Sequence, residues 1–113
     1  MSNTATKSRQ LAIELKKLIR EKMPDIDPDD TYKAAILFRE RSSVPRPQET
    51  SIRGWLEGRQ APTPRSIEQI TDTLKLSSEE RERLVVARQH DKAEYYASRS
   101  EGTFKRLMRR LTA

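Results

Sequence analysis

Apolar residues recur along this chain at intervals of three and four, and that spacing leaves few folds open to it. Leu11, Leu15, Leu18 and Ile19 mark one amphipathic helix, with Ala12 and Met23 extending its stripe. Ile52, Trp55 and Leu56 mark another face, and Ile67, Ile70 and Leu74 a third. A longer segment carries Leu84, Val85, Val86, Ala93, Tyr95 and Tyr96, and Phe104, Leu107, Met108 and Leu111 form a last stripe. Alternating runs of the strand type are nearly absent, and the chain has only three glycines, so a sheet is disfavoured. The expected fold class is all-α: a compact domain of five to six helices, at a length of 113 residues that suits one domain.

Punctuation residues set the expected boundaries. Met1 to Thr6 read as a loose arm, and the first helix should end near Met23 and Pro24. The acidic loop Pro24 to Asp30 invites a calcium reading. A loop starting at Asp25 fails it, because Asp30 falls where the turn glycine belongs and Ile36 where the bidentate glutamate belongs. No metal is expected. Asp27 instead suits a helix cap, Pro28 the first helical position, and Asp29 and Asp30 the first turn against the helix dipole. The helix from Pro28 to Arg41 is nearly encircled by apolar residues, which predicts burial among other helices. Ser42 to Pro47 is a connector, since two prolines so close forbid a continuous helix. Pro47 and Gly58 then bracket a helix of roughly three turns. Thr63 caps the following helix, and Ser77 to Glu80 form a capping box for the next. Ser98 to Gly102 read as a break, which divides the chain into a body, residues 1–97, and a basic amphipathic helix, residues 98–113.

The net charge of +6 favours a polyanionic partner, with nucleic acid the leading class and an anionic membrane surface the weaker one. No apolar run approaches the ~20 residues of a membrane span, and no signal-peptide apolar region stands near the N-terminus, so no membrane partner and a cytoplasmic location are expected. Without cysteine there is no disulfide framework and no thiolate metal site. His90 is the single histidine and has no nucleophile or ligand spacing around it, and no glycine-rich phosphate loop occurs. Neither catalysis nor a cofactor is expected.

The stretch from Thr50 to Pro62 carries the most pointed pattern. With Ile52, Trp55 and Leu56 turned inward, Thr50, Arg53, Gly54 and Glu57 turn outward, and Glu49 lies at the margin. Glycine inside a helix costs about 1 kcal/mol against alanine. Gly54 therefore serves either close approach to another surface or tight packing within the protein. Arg46, Arg53, Arg59 and Arg65 cluster around this helix, where they suit guanine edges or phosphates, or else form a solvated face. Trp55 belongs to the core stripe rather than to a base-stacking surface. Tyr95 and Tyr96 suit packing or an interface.

Ser51-Ile-Arg-Gly-Trp-Leu-Glu-Gly-Arg-Gln-Ala-Pro62, followed by Ser66-Ile-Glu-Gln-Ile-Thr-Asp-Thr-Leu-Lys-Leu-Ser77, resembles the phage-repressor-like (Cro, XRE) helix-turn-helix family. The resemblance covers about residues 10–77. It implies a DNA-binding body with a recognition helix at about residues 47–57 lying in the major groove. Thr31 would open the first helix of the motif, and Ala35 would take its small packing position. Ile52 and Trp55 would be core anchors, Glu49, Thr50, Arg53 and Gly54 would face bases, and Arg59 would meet phosphate. Gln48, Ser51, Arg46 and Arg65 complete the expected contact set. The chain departs from the family in its long, proline-containing connector Ser42 to Pro47 and in its longer acidic loop.

The implied function is a sequence-specific regulator of transcription on double-stranded DNA, of the repressor type, acting as a homodimer. The rival expectation is an antitoxin-like or scaffold protein whose C-terminal helix binds a protein partner. That tail has three readings: it closes the core, pairs two copies, or binds a partner or anionic surface.

Overall fold

Leucine and isoleucine stripes fold this chain into five helices: α1 (Arg9–Lys22), α2 (Thr31–Arg41), α3 (Glu49–Glu57), α4 (Pro64–Leu74) and α5 (Ser78–Thr112). They are seen in a computed structural model that describes the backbone of residues 9–112 and the side chains of residues 9–97. The described residues contain no strand, and the fold class is all-α as the spacing predicts.

The helix α1 lies at the centre and packs against α3, α4 and α5, while α2 packs chiefly on α3. Their apolar stripes meet in one core: Leu11, Leu15, Leu18 and Ile19 of α1 are fully buried, with Phe38, Ile52, Leu56, Ile70 and Leu84 supplied by the other four helices. Each such side chain contributes about 1.5–3 kcal/mol on leaving water. Trp55 joins them, buried as expected.

Four helix starts are held by side chains. Asp30 Oδ1 accepts from the Lys33 N–H at 3.2 Å, and Thr63 Oγ1 from the Ser66 N–H at 3.1 Å. The Ser77–Glu80 box closes in both directions, with bonds of 2.8 and 3.1 Å. The start of α1 is held from across the fold: the two carboxylate oxygens of the buried Asp91 accept the N–H groups of Gln10 and Leu11, each at 2.9 Å. One turn earlier on α5, Arg88 Nε donates to the Pro62 carbonyl at 2.7 Å. The start of α3 differs, since Gln48 makes no side-chain bond there.

Several boundaries depart from expectation. Helix α2 begins at Thr31 rather than at Pro28. Asp27 Oδ1 accepts from the Asp29 N–H at 3.0 Å, which closes a turn in competition with a helix start. Helix α3 begins at Glu49, leaving the buried Pro47 in the connector. Nor is α2 enclosed all round: Ala34, Ala35 and Phe38 are buried, but Tyr32 and Ile36 face outward. The expected break at Ser98 to Gly102 does not occur, and α5 runs on through it. One glycine and two serines cost a helix about 2 kcal/mol together, and without a proline nothing blocks the backbone ladder. The Phe104–Leu111 side-chain stripe lies outside the described residues.

At 35 residues α5 spans about 52 Å, close to the 58 Å long axis of the molecule. Among the described side chains Asp91 is the last buried one on α5. Among the described residues no helix is long and apolar enough to cross a membrane.

Candidate nucleic-acid interface

The left-handed backbone of Gly58, at φ 76°, ends α3 and turns the chain back over it. The Gly54 carbonyl accepts the N–H groups of Arg59 and Gln60 at 2.9 and 3.2 Å. Gln60 is thereby laid across Gly54. A Cβ at position 54 would stand 2.8 Å from Gln60 Oε1 and 2.9 Å from Gln60 Cβ, nearer than real carbons approach. Gly54 is buried. The expectation that it faces a base is corrected: the glycine admits the protein's own turn, and tight internal packing explains its place.

With Gly54 turned in, the outer face of α3 is built by Glu49, Thr50, Arg53 and Glu57. Glu49 and Thr50 are exposed, and Arg53 is half-buried because its guanidinium carbon sits 4.2 Å over the ring of Tyr32 on α2. Tyr32 itself is 67% exposed, so this cation–π contact lies at the surface, where it contributes about 0.5–1 kcal/mol. Stacking removes rotamer freedom from Arg53 before any ligand arrives. Glu57, one turn on, accepts from Thr31 Oγ1 at 2.7 Å and from Arg59 Nε at 2.6 Å. The Thr31 hydroxyl and then the Arg59 guanidinium hold its carboxyl below the usual glutamate range. Thr31, Glu57 and Arg59 thus tie the start of α2 to the end of α3.

The remaining expected residues divide. Gln48 is exposed at the uncapped start of α3, and Ser51 is half-buried on its first turn. The first N–H groups of α3 receive no side-chain bond from Gln48, and such groups attract anions. Arg46 is exposed and donates from Nε to the Ser42 carbonyl at 3.3 Å. Arg65, exposed on the first turn of α4, borders a cleft of about 260 Å³ with the connector residues Ser42 to Pro45. Gln69 Nε2 pins that connector by donating to the Pro45 carbonyl at 3.0 Å. Arg46 and Arg65 therefore belong to the connector side, and neither is tied to the α3 face.

Two residues join the site that the sequence pattern assigned elsewhere. Tyr32 fits the apolar set of α2, and only its helix phase against Phe38 and Ala35 signals that it turns outward. Gln60 lies past the helix and has no local signal at all. Away from this face, His90, Asp91 and Glu94 offer ligand atoms within 4.8 Å of one another, but Asp91 is already engaged with the start of α1. Searches against protein-family models, curated proteins and solved structures find no match to this chain. Its reading rests on these residues and their geometry.

Proposed function

We propose that the chain is a cytoplasmic regulator of transcription, of the repressor type, that binds double-stranded DNA with the outer face of α3. The observation that carries this reading is Arg53, stacked on the exposed ring of Tyr32 at the middle of that face. An arginine fixed in this way is prepared to meet a guanine edge with both of its terminal nitrogens. Three further features support it. The uncapped start of α3 offers backbone N–H groups to a phosphate. Arg59 stands at the helix end with Glu57 as its ion-pair partner. The chain carries a net charge of +6. The packing of α2 on α3, with Ala35, Ile52 and Trp55 buried, supports the reading as well.

Binding to a specific and a scrambled duplex across a salt series tests the reading. Affinity for any duplex should fall steeply with salt through counterion release. Arg53→Ala should cost about 1–3 kcal/mol on the specific duplex and relax preference at one base pair. Arg59→Ala should weaken both duplexes alike and reduce the salt slope by about one. Absence of duplex binding at low salt would overturn the reading.

A further inference from the structure

A glycine inside a helix weakens it relative to alanine. At position 54 the glycine admits a side chain whose hydrogen-bonding capacity is unused. Gln60 lies so close over Gly54 that both its Cβ and its Oε1 would collide with a Cβ there, at 2.9 and 2.8 Å. Yet Gln60 is exposed, and among the described residues neither atom of its side-chain amide takes part in a hydrogen bond. A turn that only closed α3 has no need of an amide at this place. The helix gives up a side chain of its own so that a polar one from the turn can stand there.

The backbone beneath this side chain is held on both sides. The Gly54 carbonyl accepts the Gln60 N–H at 3.2 Å. Two residues on, Pro62 is fully buried and its carbonyl accepts from Arg88 Nε at 2.7 Å. Gln60 is therefore set in position without a ligand, as Arg53 is by its stack on Tyr32. Position 54 also lies on the right side of α3. It follows Thr50 by one turn and stands about 100° from Arg53 around the helix axis. Thr50 and Glu57 run between the two, so Arg53 and Gln60 occupy opposite flanks of the face assigned to DNA.

We infer that Gln60 is a base-reading residue of that face and that it recognises an adenine in the major groove. The inference rests on the DNA reading of α3 and adds a specificity determinant to it. The glutamine amide holds an acceptor oxygen and a donor nitrogen side by side. Adenine presents the complement: Gln60 Nε2 donates to adenine N7 while Oε1 accepts from the adenine N6 amino group. A phosphate offers acceptors alone and leaves Oε1 without use. A guanine edge presents two acceptors, which suits Arg53 instead. Standing on opposite flanks of α3, the two side chains read different base pairs.

The test is selection from a randomised duplex DNA library by the whole chain and by its Gln60→Ala, Gln60→Glu and Arg53→Ala variants. Gln60→Ala should lower the preference for one adenine of the enriched motif by about 5–100-fold. Gln60→Glu keeps the shape of the side chain but can only accept, so it should replace that adenine by cytosine, whose N4 amino group donates. Arg53→Ala should keep the adenine and lose a guanine elsewhere in the motif. Retention of that guanine by both Gln60 variants shows that they fold and dock as the wild-type chain does. If both Gln60 variants enrich the wild-type motif, or weaken every sequence alike, the inference falls while the DNA reading stands. If the wild-type chain enriches no motif, the DNA reading falls and takes the inference with it.

Discussion

The starts of α1 and α3 solve the same problem in opposite ways. Each helix begins with N–H groups that have no partner in their own ladder. At α1 a buried carboxylate from a residue 80 positions away takes two of them. At α3 the neighbouring Gln48 takes none. The first arrangement trades local independence for dependence on α5: α1 is secured only once the far end of the body is in place. The second leaves an exposed end beside Arg53 and Thr50, at the face assigned to a polyanion. Where the fold needs rigidity its donors are satisfied internally, and where contact is proposed they are left to solvent.

Substitutions at these starts break or sharpen the contrast. Asp91→Ala should have the largest effect, about 2–3 kcal/mol of stability, because two backbone donors lose a charged acceptor in a largely buried site. Urea denaturation measures it, and hydrogen exchange should show the first turn of α1 opening ahead of the rest. A loss below about 0.5 kcal/mol would mean that water replaces the carboxylate. Gln48→Asp should act in the other direction. It supplies the missing cap and raises stability by about 0.5–1 kcal/mol, while weakening duplex DNA severalfold by occupying the N–H groups and adding a negative charge. If stability rises and DNA affinity is unchanged, phosphate does not sit there.

The smallest effect is expected in acid, at the start of α5. The Ser77 backbone N–H and then Lys22 hold the Glu80 carboxyl below its usual range. A carboxyl whose pKa is lower in the folded state than in the unfolded one stabilises the fold above the unfolded value, and that stability is lost as pH falls through the folded value. Stability should therefore decline below about pH 4, the ordinary carboxylate region. Glu80→Gln should make the decline shallower. Thr63, with no charge to lose, should keep α4 capped throughout, and an unchanged acid profile in Glu80→Gln would remove Glu80 from the account.

The same contrast explains what was legible in the sequence. The Thr63 and Ser77–Glu80 caps were readable because donor and acceptor lie three residues apart and follow a known pattern. The Asp91 cap was not, because nothing local distinguishes a carboxylate aimed at a distant helix from one in solvent. Among the four aspartates before α2 the pattern favoured Asp27. The structure uses Asp30, since a capping residue and a turn-closing residue have the same chemistry. At Gly54 periodicity placed the residue outward, and only the folded position of Gln60 reveals the close approach behind it. The inward stripe of α3 was fully readable, whereas the Arg53–Tyr32 stack joins residues 21 positions apart and needed the α2–α3 packing to appear. The continuity of α5 was obscured by Ser98 to Gly102, where weak helix formers resemble a stop.

Two grips of α5 on the body, Arg88 on the Pro62 carbonyl and Asp91 on the start of α1, fall within a single helical turn. Among the described residues beyond that turn, up to residue 97, no side chain is buried. In evolutionary terms the helix is a handle whose described buried contacts end at that turn. Duplication or recombination beyond Asp91 could give the same body a new assembly partner in one step, while insertions before Arg88 would have to preserve the spacing of both grips.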